Sequence, residues 1–170
     1  MIYHNTHMCI DLRIFNNIIR LIVLLILFGG SALASEKTYG DAKCSVVSIY
    51  DGDTIFVDVH GWPDIIGKRI PVRISGIDTP ERGDKNANIR EMASQARMFV
   101  VSKVRGKQLL EIKNMRRDKY FRIVADIIID GENIGETLIK KGLAKKYDGG
   151  TKSKWTDLDY NEYVKRSNNR

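Results

Sequence analysis

The sequence predicts an α+β domain dominated by β, a five-stranded Greek-key barrel of the OB type carrying two or three packed α-helices. Three observations lead there. Five short runs rich in Val and Ile partly alternate with polar residues between positions 44 and 130. Turn residues separate these runs. One stretch with helical spacing interrupts them between the third and the fourth.

In order, the strand candidates are "CSVVSIY" from Cys44, "TIFVDV" from Thr54, "RIPVRIS" from Arg69, "QLLEI" from Gln108 and "RIVADIIID" from Arg122. Asp51-Gly52-Asp53, the segment from Gly61 to Gly67, Gly106 and Asp130-Gly131 supply the turns, because Gly and Asp tolerate the dihedrals that a reversal needs. In "NIREMASQARMFVVSKV", Ile89, Met92, Ala93, Ala96, Val100 and Val104 recur at three- and four-residue steps, the pattern of a helix lying on a sheet. "NIGETLIKKGLAKK" repeats that pattern with Ile134, Leu138, Ile139 and Leu143, and Gly142 is placed to stop it. The tail from Trp155 to Arg170 is polar, with Leu158, Tyr160 and Tyr163 as weak anchors for a short helix.

The amino-terminal segment reads differently. Leu21 to Phe28 is uninterrupted apolar, follows Arg20 and precedes "GGSALAS", in which Ala32 and Ala34 form a small-x-small cleavage pattern. Residues 1–34 are therefore expected to be a signal peptide, starting at Met1 or Met8 and cleaved after Ala34. An uncleaved inner-membrane anchor through residues 18–34 is the alternative, but Asn16, Asn17 and Arg20 keep the run short of a span of about 20 apolar residues. Residues 35–43 read as a flexible leader, 44–150 as the barrel domain and 151–170 as the tail.

The net charge is +7, and a basic exported domain suggests a polyanionic partner such as nucleic acid. Cys9, His4 and His7 leave with the signal, so Cys44 and His60 become the sole residues of their kinds. That excludes an internal disulfide and a Cys/His zinc cluster, and leaves a Ser-His-Asp triad poorly supplied. Hydrolytic chemistry in such a chain falls to carboxylates, arginines and a hard metal. Cys44 is expected to be a buried small hydrophobe, His60 a surface residue, and Trp62 and Trp155 anchors for a loop and the tail.

Three motifs carry that chemistry. "YDGDT" crowds Asp51 and Asp53 at a strand start, which by itself is an ordinary hairpin entry. "RISGIDTPE" runs from Arg73 to Glu81, and its Thr79, Pro80 and Glu81 also fit a helix-capping turn. "RDKYFR" from Arg117 to Arg122 also fits a solvated strand edge. Together they supply hard oxygen ligands at Asp53, Asp78 and the Thr79 carbonyl, a water-activating carboxylate at Glu81, and phosphate-binding guanidinium groups at Arg73 and Arg122.

Over about residues 44–147 the chain resembles the staphylococcal nuclease (thermonuclease) family, on "YDGDT", "VRISGIDTPE", "DKYFR" and "GETLIKKGLAKKY" in that order. The resemblance implies an OB barrel with helices and Ca²⁺-dependent endonucleolytic cleavage of DNA and RNA that leaves 3′-phosphates. It makes Asp53, Asp78 and the Thr79 backbone oxygen ligands of one Ca²⁺, with Asp51 beside the metal but not bound to it. It makes Glu81 the activator of water and Arg73 and Arg122 the phosphate binders. Lys119 and Tyr120 match positions near the nucleotide's terminal phosphate, and Tyr147 lies near a base-stacking position. The expected substrate is single-stranded by preference and the expected state a monomer.

Phe121 departs from the family, which usually has Gly there. If that backbone requires a positive φ, a bulky residue costs about 1–2 kcal/mol. The loop "GDKNAN" is short, and so is the C-terminal region. A non-catalytic OB module that only binds nucleic acid is the rival expectation, but such a module needs neither the three carboxylates nor the two arginines. A membrane-tethered nuclease differs only in the fate of residues 1–34.

Overall fold

A computed structural model describes residues 37–107 and 109–169, together with Arg13, Asn16, Asn17 and Arg20. The chain divides into two compact units, residues 1–36 and 37–170, and the sheets, the helices below and the site belong to the second. Apart from those four positions, the expected signal segment lies outside the described residues. Among the described residues, no helix is long and apolar enough to cross a membrane.

In chain order the elements are β1 (Ala42–Ile49), β2 (Thr54–Val59), α1 (Asp64–Gly67), β3 (Ile70–Ile74), β4 (Ile77–Asp78), α2 (Ala87–Val104), β5 (Leu110–Arg117), β6 (Ile123–Ile129), β7 (Glu132–Asn133), α3 (Ile134–Lys141), β8 (Lys145–Lys146) and α4 (Asp157–Asn168). Strand β1 pairs antiparallel with β2 on one side and β5 on the other. The chain continues antiparallel from β2 to β3 and from β5 to β6. A parallel pairing of β3 with β6, Val72 opposite Ile123, closes the barrel. The five expected strands are thus the five staves.

Alternation decides what faces inward. Ile55, Val57 and Val59 on β2 and Ile123, Ala125, Ile127 and Ile129 on β6 are buried, while the residues between them are half-buried. With Val72, Ile74, Leu110 and Ile112 they form the core, and each large side chain there contributes about 1.5–3 kcal/mol on burial.

Helix α2 buries Ile89, Met92, Ala93, Ala96 and Val100, and its Asn86 cap accepts a hydrogen bond from Asn88 N. Helix α3 ends at Gly142, whose φ of 75° lets its N–H and that of Leu143 return to the carbonyls of Ile139 and Leu138. Helix α4 opens on a capping box formed by Thr156 and Asp159.

Several expectations change. Strand β1 starts at Ala42 rather than Cys44, and Tyr39 N donates to Met115 O while Met115 N donates to Gly40 O, so residues 39–43 of the expected leader are tied to β5. Of the expected tail anchors, Tyr163 packs against the core, Tyr160 is half-buried, and Leu158 is 75% exposed. The turn from Gly61 to Gly67 contains the single-turn α1, with Pro63 before it at φ −54°. The two-residue strands β4 and β8 pair Asp78 with Lys145 and are too short to show a periodicity.

Candidate active site

The Asp51-Gly52-Asp53 turn joins β1 to β2, with Tyr50 N and Asp51 N both directed at Thr54 O. Asp53 N donates to Asp51 Oδ1 at 3.1 Å, the side-chain turn that these residues favour. Gly52 is required by close approach. A Cβ there would fall 2.8 Å from Ala96 Cβ and 2.9 Å from Thr79 Cγ2. The missing side chain lets the turn lie against α2 and the segment after β4, and Thr79 N reaches Asp53 Oδ2 at 3.2 Å.

Arg73, opposite Thr54 in the β2–β3 ladder, holds this cluster from β3. Its Nη1 donates to Asp53 Oδ1 at 2.6 Å, and its Nη2 donates to Asp78 Oδ1 at 3.4 Å and Ile77 O at 3.2 Å. Asp53, Asp78, Thr79 and Arg73 are all buried. Arg73 was expected at substrate phosphate, and the structure finds its fork spanning the two carboxylates, with its ζ carbon 5.8 Å from the centre of the Tyr147 ring. Removing charges from water demands such pairing.

The second arginine stands on the β5–β6 hairpin. Arg122 Nε donates to Asp118 Oδ2 at 2.8 Å, and Arg122 N and Tyr120 N both donate to Asp118 Oδ1. Burial, which raises the Asp118 pKa, is outweighed by these donors, so the carboxyl stays below its ordinary range. Phe121 lies at φ 63°, the left-handed region that favours glycine. The arginine next to it still lines the cleft, with its guanidinium 5.4 Å from the centre of the Tyr120 ring.

Glu81 meets a residue that the sequence did not single out. Lys152 Nζ lies 2.7 Å from Asp78 Oδ1 and 3.1 Å from Glu81 Oε1. Partial burial works against its charge, but the two carboxylates outweigh that and raise the Lys152 ammonium above the ordinary lysine range. Trp155 Nε1 donates to Asp78 Oδ2 at 3.3 Å, and Lys145 Nζ lies 4.6 Å from its ring centre. The tail is thus anchored on the site itself. Nothing in "GGTKSKW" marks these contacts, because they join residues 71 and 77 positions apart.

These side chains share a cleft of about 520 Å³ whose lining includes Asp51, Asp53, Arg73, Thr79, Glu81 and Arg122. Lys119, Tyr120, Tyr147 and Lys152 line it as well, whereas Asp78 is reached through its partners. Burial, and then the charge of Asp53, push the Asp51 carboxyl up to about 6. No group of three or more His, Cys, Asp or Glu side chains arranged to hold a metal ion occurs among the described residues. The candidate donors are the two buried carboxylates, whose oxygens are here engaged by Arg73, Thr79 N, Lys152 and Trp155, and the Thr79 backbone oxygen. Hard oxygen donors of this kind fit Ca²⁺ or a similar cation whose remaining positions are filled by water or a phosphate. Away from the cleft, Cys44 is buried with its thiol pushed up to about 12 by burial. The exposed His60 pairs with Ser45 through Nε2 at 2.7 Å.

The family model described as staphylococcal nuclease homologue matches residues 71–169. That span holds Arg73, Asp78, Thr79, Glu81 and Arg122, and it starts after Asp53. The chain is 32% identical over 117 residues to the thermonuclease of Staphylococcus hyicus, covering 68% of this chain and 63% of that protein. It is 40% identical over 99 residues to the endonuclease YncB of Bacillus subtilis (56% of this chain, 43% of that protein). A third relative, the SPbeta prophage-derived endonuclease YokF of Bacillus subtilis, is 41% identical over 99 residues (56% and 31%). The chain therefore spans less than two thirds of the length of each of these relatives. A match over more than half of the chain, on a closed five-stranded barrel, means that this protein belongs to the staphylococcal nuclease homologue family.

Proposed function

We propose that the protein is an exported, metal-dependent endonuclease that hydrolyses phosphodiester bonds of DNA and RNA with little sequence specificity and leaves 3′-phosphates. The observation that carries this reading is the convergence of Asp53, Arg73, Thr79, Glu81 and Arg122 on one cleft. A nucleic-acid-binding module has no use for buried carboxylates in its groove, since they repel the phosphate backbone.

One Ca²⁺ held by Asp53, Asp78 and the Thr79 carbonyl would supply Lewis-acid polarisation of the phosphate and offset the carboxylate charge. Glu81 takes the proton of the attacking water, which its exposed position at the cleft allows. Arg122, on the far wall, meets the charge that develops on the equatorial oxygens. Arg73 acts from the floor, its orientation set by Asp53 and Asp78. Lys119 and Tyr120 contact a terminal phosphate, and Tyr147 stacks on a base. The reading includes a preference for single strands and a monomeric state.

The test is cleavage of a single-stranded DNA oligonucleotide by the purified chain with Ca²⁺, with EDTA, and with Glu81→Gln. Activity with Ca²⁺ that disappears in EDTA and falls by orders of magnitude in the variant supports the reading. Binding without cleavage in Ca²⁺, Mg²⁺ or Mn²⁺ overturns it in favour of a binding module.

A further inference from the structure

The lining of the cleft contains two aromatic residues to which no role is assigned, Tyr50 and Phe56. Tyr50 is 58% exposed at the end of β1, and Phe56 stands on the outer face of β2 between the buried Ile55 and Val57. Their rings lie 6.5 Å apart at an interplanar angle of 76°. The cross-strand neighbours of Phe56 are Ser48 and Pro71, too short to cover a phenyl ring. The Arg69 guanidinium, itself exposed, stands 5.7 Å from the Phe56 ring centre. Arg82 Nη1 donates to Tyr50 O at 3.1 Å, adding a second positive charge beside the pair. Both rings line the cleft that contains Asp53 and Arg73.

We propose that Tyr50 and Phe56 form a second base-binding platform, which takes an unpaired nucleobase of a single strand in the same cleft. The inference rests on the nucleic-acid reading above. Aromatic rings at a cleft and flanked by arginines are a surface on which bases of single-stranded nucleic acid stack, since every base offers a π-face and every linkage a negative charge. A protein partner fits less well, because the rings belong to a groove wall continuous with the phosphate-handling groups. A strand crossing the cleft would place one base near Tyr147 or Tyr120, its phosphate over the carboxylate and arginine floor, and the next base on Tyr50. Bases in a duplex are not available for this, so the platform gives the site a physical reason to prefer single strands.

The experiment uses the full chain in EDTA, where binding is read without cleavage, and a twelve-residue thymidine oligonucleotide with one 2-aminopurine. Affinity is taken from anisotropy and stacking from quenching of the 2-aminopurine. Tyr50→Ala, at an exposed position, is the main variant. Tyr50→Phe keeps the ring, and Phe56→Ala is read only if its thermal unfolding matches the parent. Tyr50→Ala is expected to weaken binding about tenfold and to abolish the quenching, Tyr50→Phe to restore both, and affinity for the paired duplex to move less than twofold. If the parent binds and is quenched but Tyr50→Ala changes neither, the platform is wrong and the nuclease reading stands. If the parent chain binds no single-stranded oligonucleotide in EDTA, the platform is wrong, while the nuclease reading, which needs the cation to offset the carboxylates, is decided by the cleavage assay in Ca²⁺.

Discussion

Arg73 Nη1 lies 2.6 Å from Asp53 Oδ1, with the two side chains only 10% and 5% exposed. The same guanidinium reaches Asp78, so Arg73→Ala strands two carboxylates at once. Removing one partner of a buried pair costs about 3–5 kcal/mol. The urea midpoint of the variant in EDTA should fall by a corresponding amount. Saturating Ca²⁺ should recover more stability in the variant than in the parent, because a bound cation stabilises the folded state by mass action. An unchanged midpoint in EDTA would show that Arg73 does not hold the carboxylates.

Phe121 is 78% exposed at φ 63° and contributes no core burial that would offset its backbone. Phe121→Gly relieves about 1–2 kcal/mol of left-handed strain and gives back about 0.4–1 kcal/mol through the freer unfolded chain. The expected result is a net stabilisation between zero and about 1.6 kcal/mol by urea unfolding. Phe121→Ala keeps the strained dihedral and should give no such gain. Equal effects of glycine and alanine would assign the change to the lost ring instead.

The barrel was legible because its signal is local. Burial alternates along β6 at Ile123, Ala125, Ile127 and Ile129, and α2 repeats its buried residues at regular spacing from Ile89 to Val100. The sequence marks β5 only as far as Ile112, yet the strand continues to Arg117, since the register shift between Lys113 and Arg116 breaks the alternation that marks a strand. Leu158 looked like an anchor because it is apolar, but helix phase is set by Tyr163, which faces the core. In the site, the residue types were visible and their pairings were not. The span of Arg73 across Asp53 and Asp78 depends on the β2–β3 register that sets Arg73 opposite Thr54, and the approach of Lys152 depends on a loop whose sequence is merely polar.

Lys152 places a positive charge 2.7 Å from Asp78 Oδ1, at one of the two carboxylates proposed to hold the cation. Like charges at that separation oppose each other, so Lys152→Ala should tighten Ca²⁺ binding severalfold, and Lys152→Arg should not. Titration calorimetry of the chain with Ca²⁺ reads the change without reference to cleavage. Equal Kd values for the parent and Lys152→Ala would remove Lys152 from the electrostatics of the site.

Asp118 links the hairpin to pH. It accepts from Tyr120 N, Arg122 N and Arg122 Nε, and these donors outweigh burial to hold its carboxyl below the ordinary 3.8. A depressed folded value means that the unfolded chain takes up the proton first. The stabilisation is therefore complete above the ordinary value and is lost as pH falls through the folded one. Asp118→Asn should be less stable than the parent by a constant margin from neutral pH down to about pH 4, and the margin should narrow below that. Urea unfolding of both proteins across this range reads the margin directly. Because Arg122 depends on the same carboxylate, protonation of Asp118 releases the guanidinium as well, so salt should shrink the margin at neutral pH by screening the pair. A margin that persists undiminished in acid would mean that the neutral carboxyl holds the turn equally well.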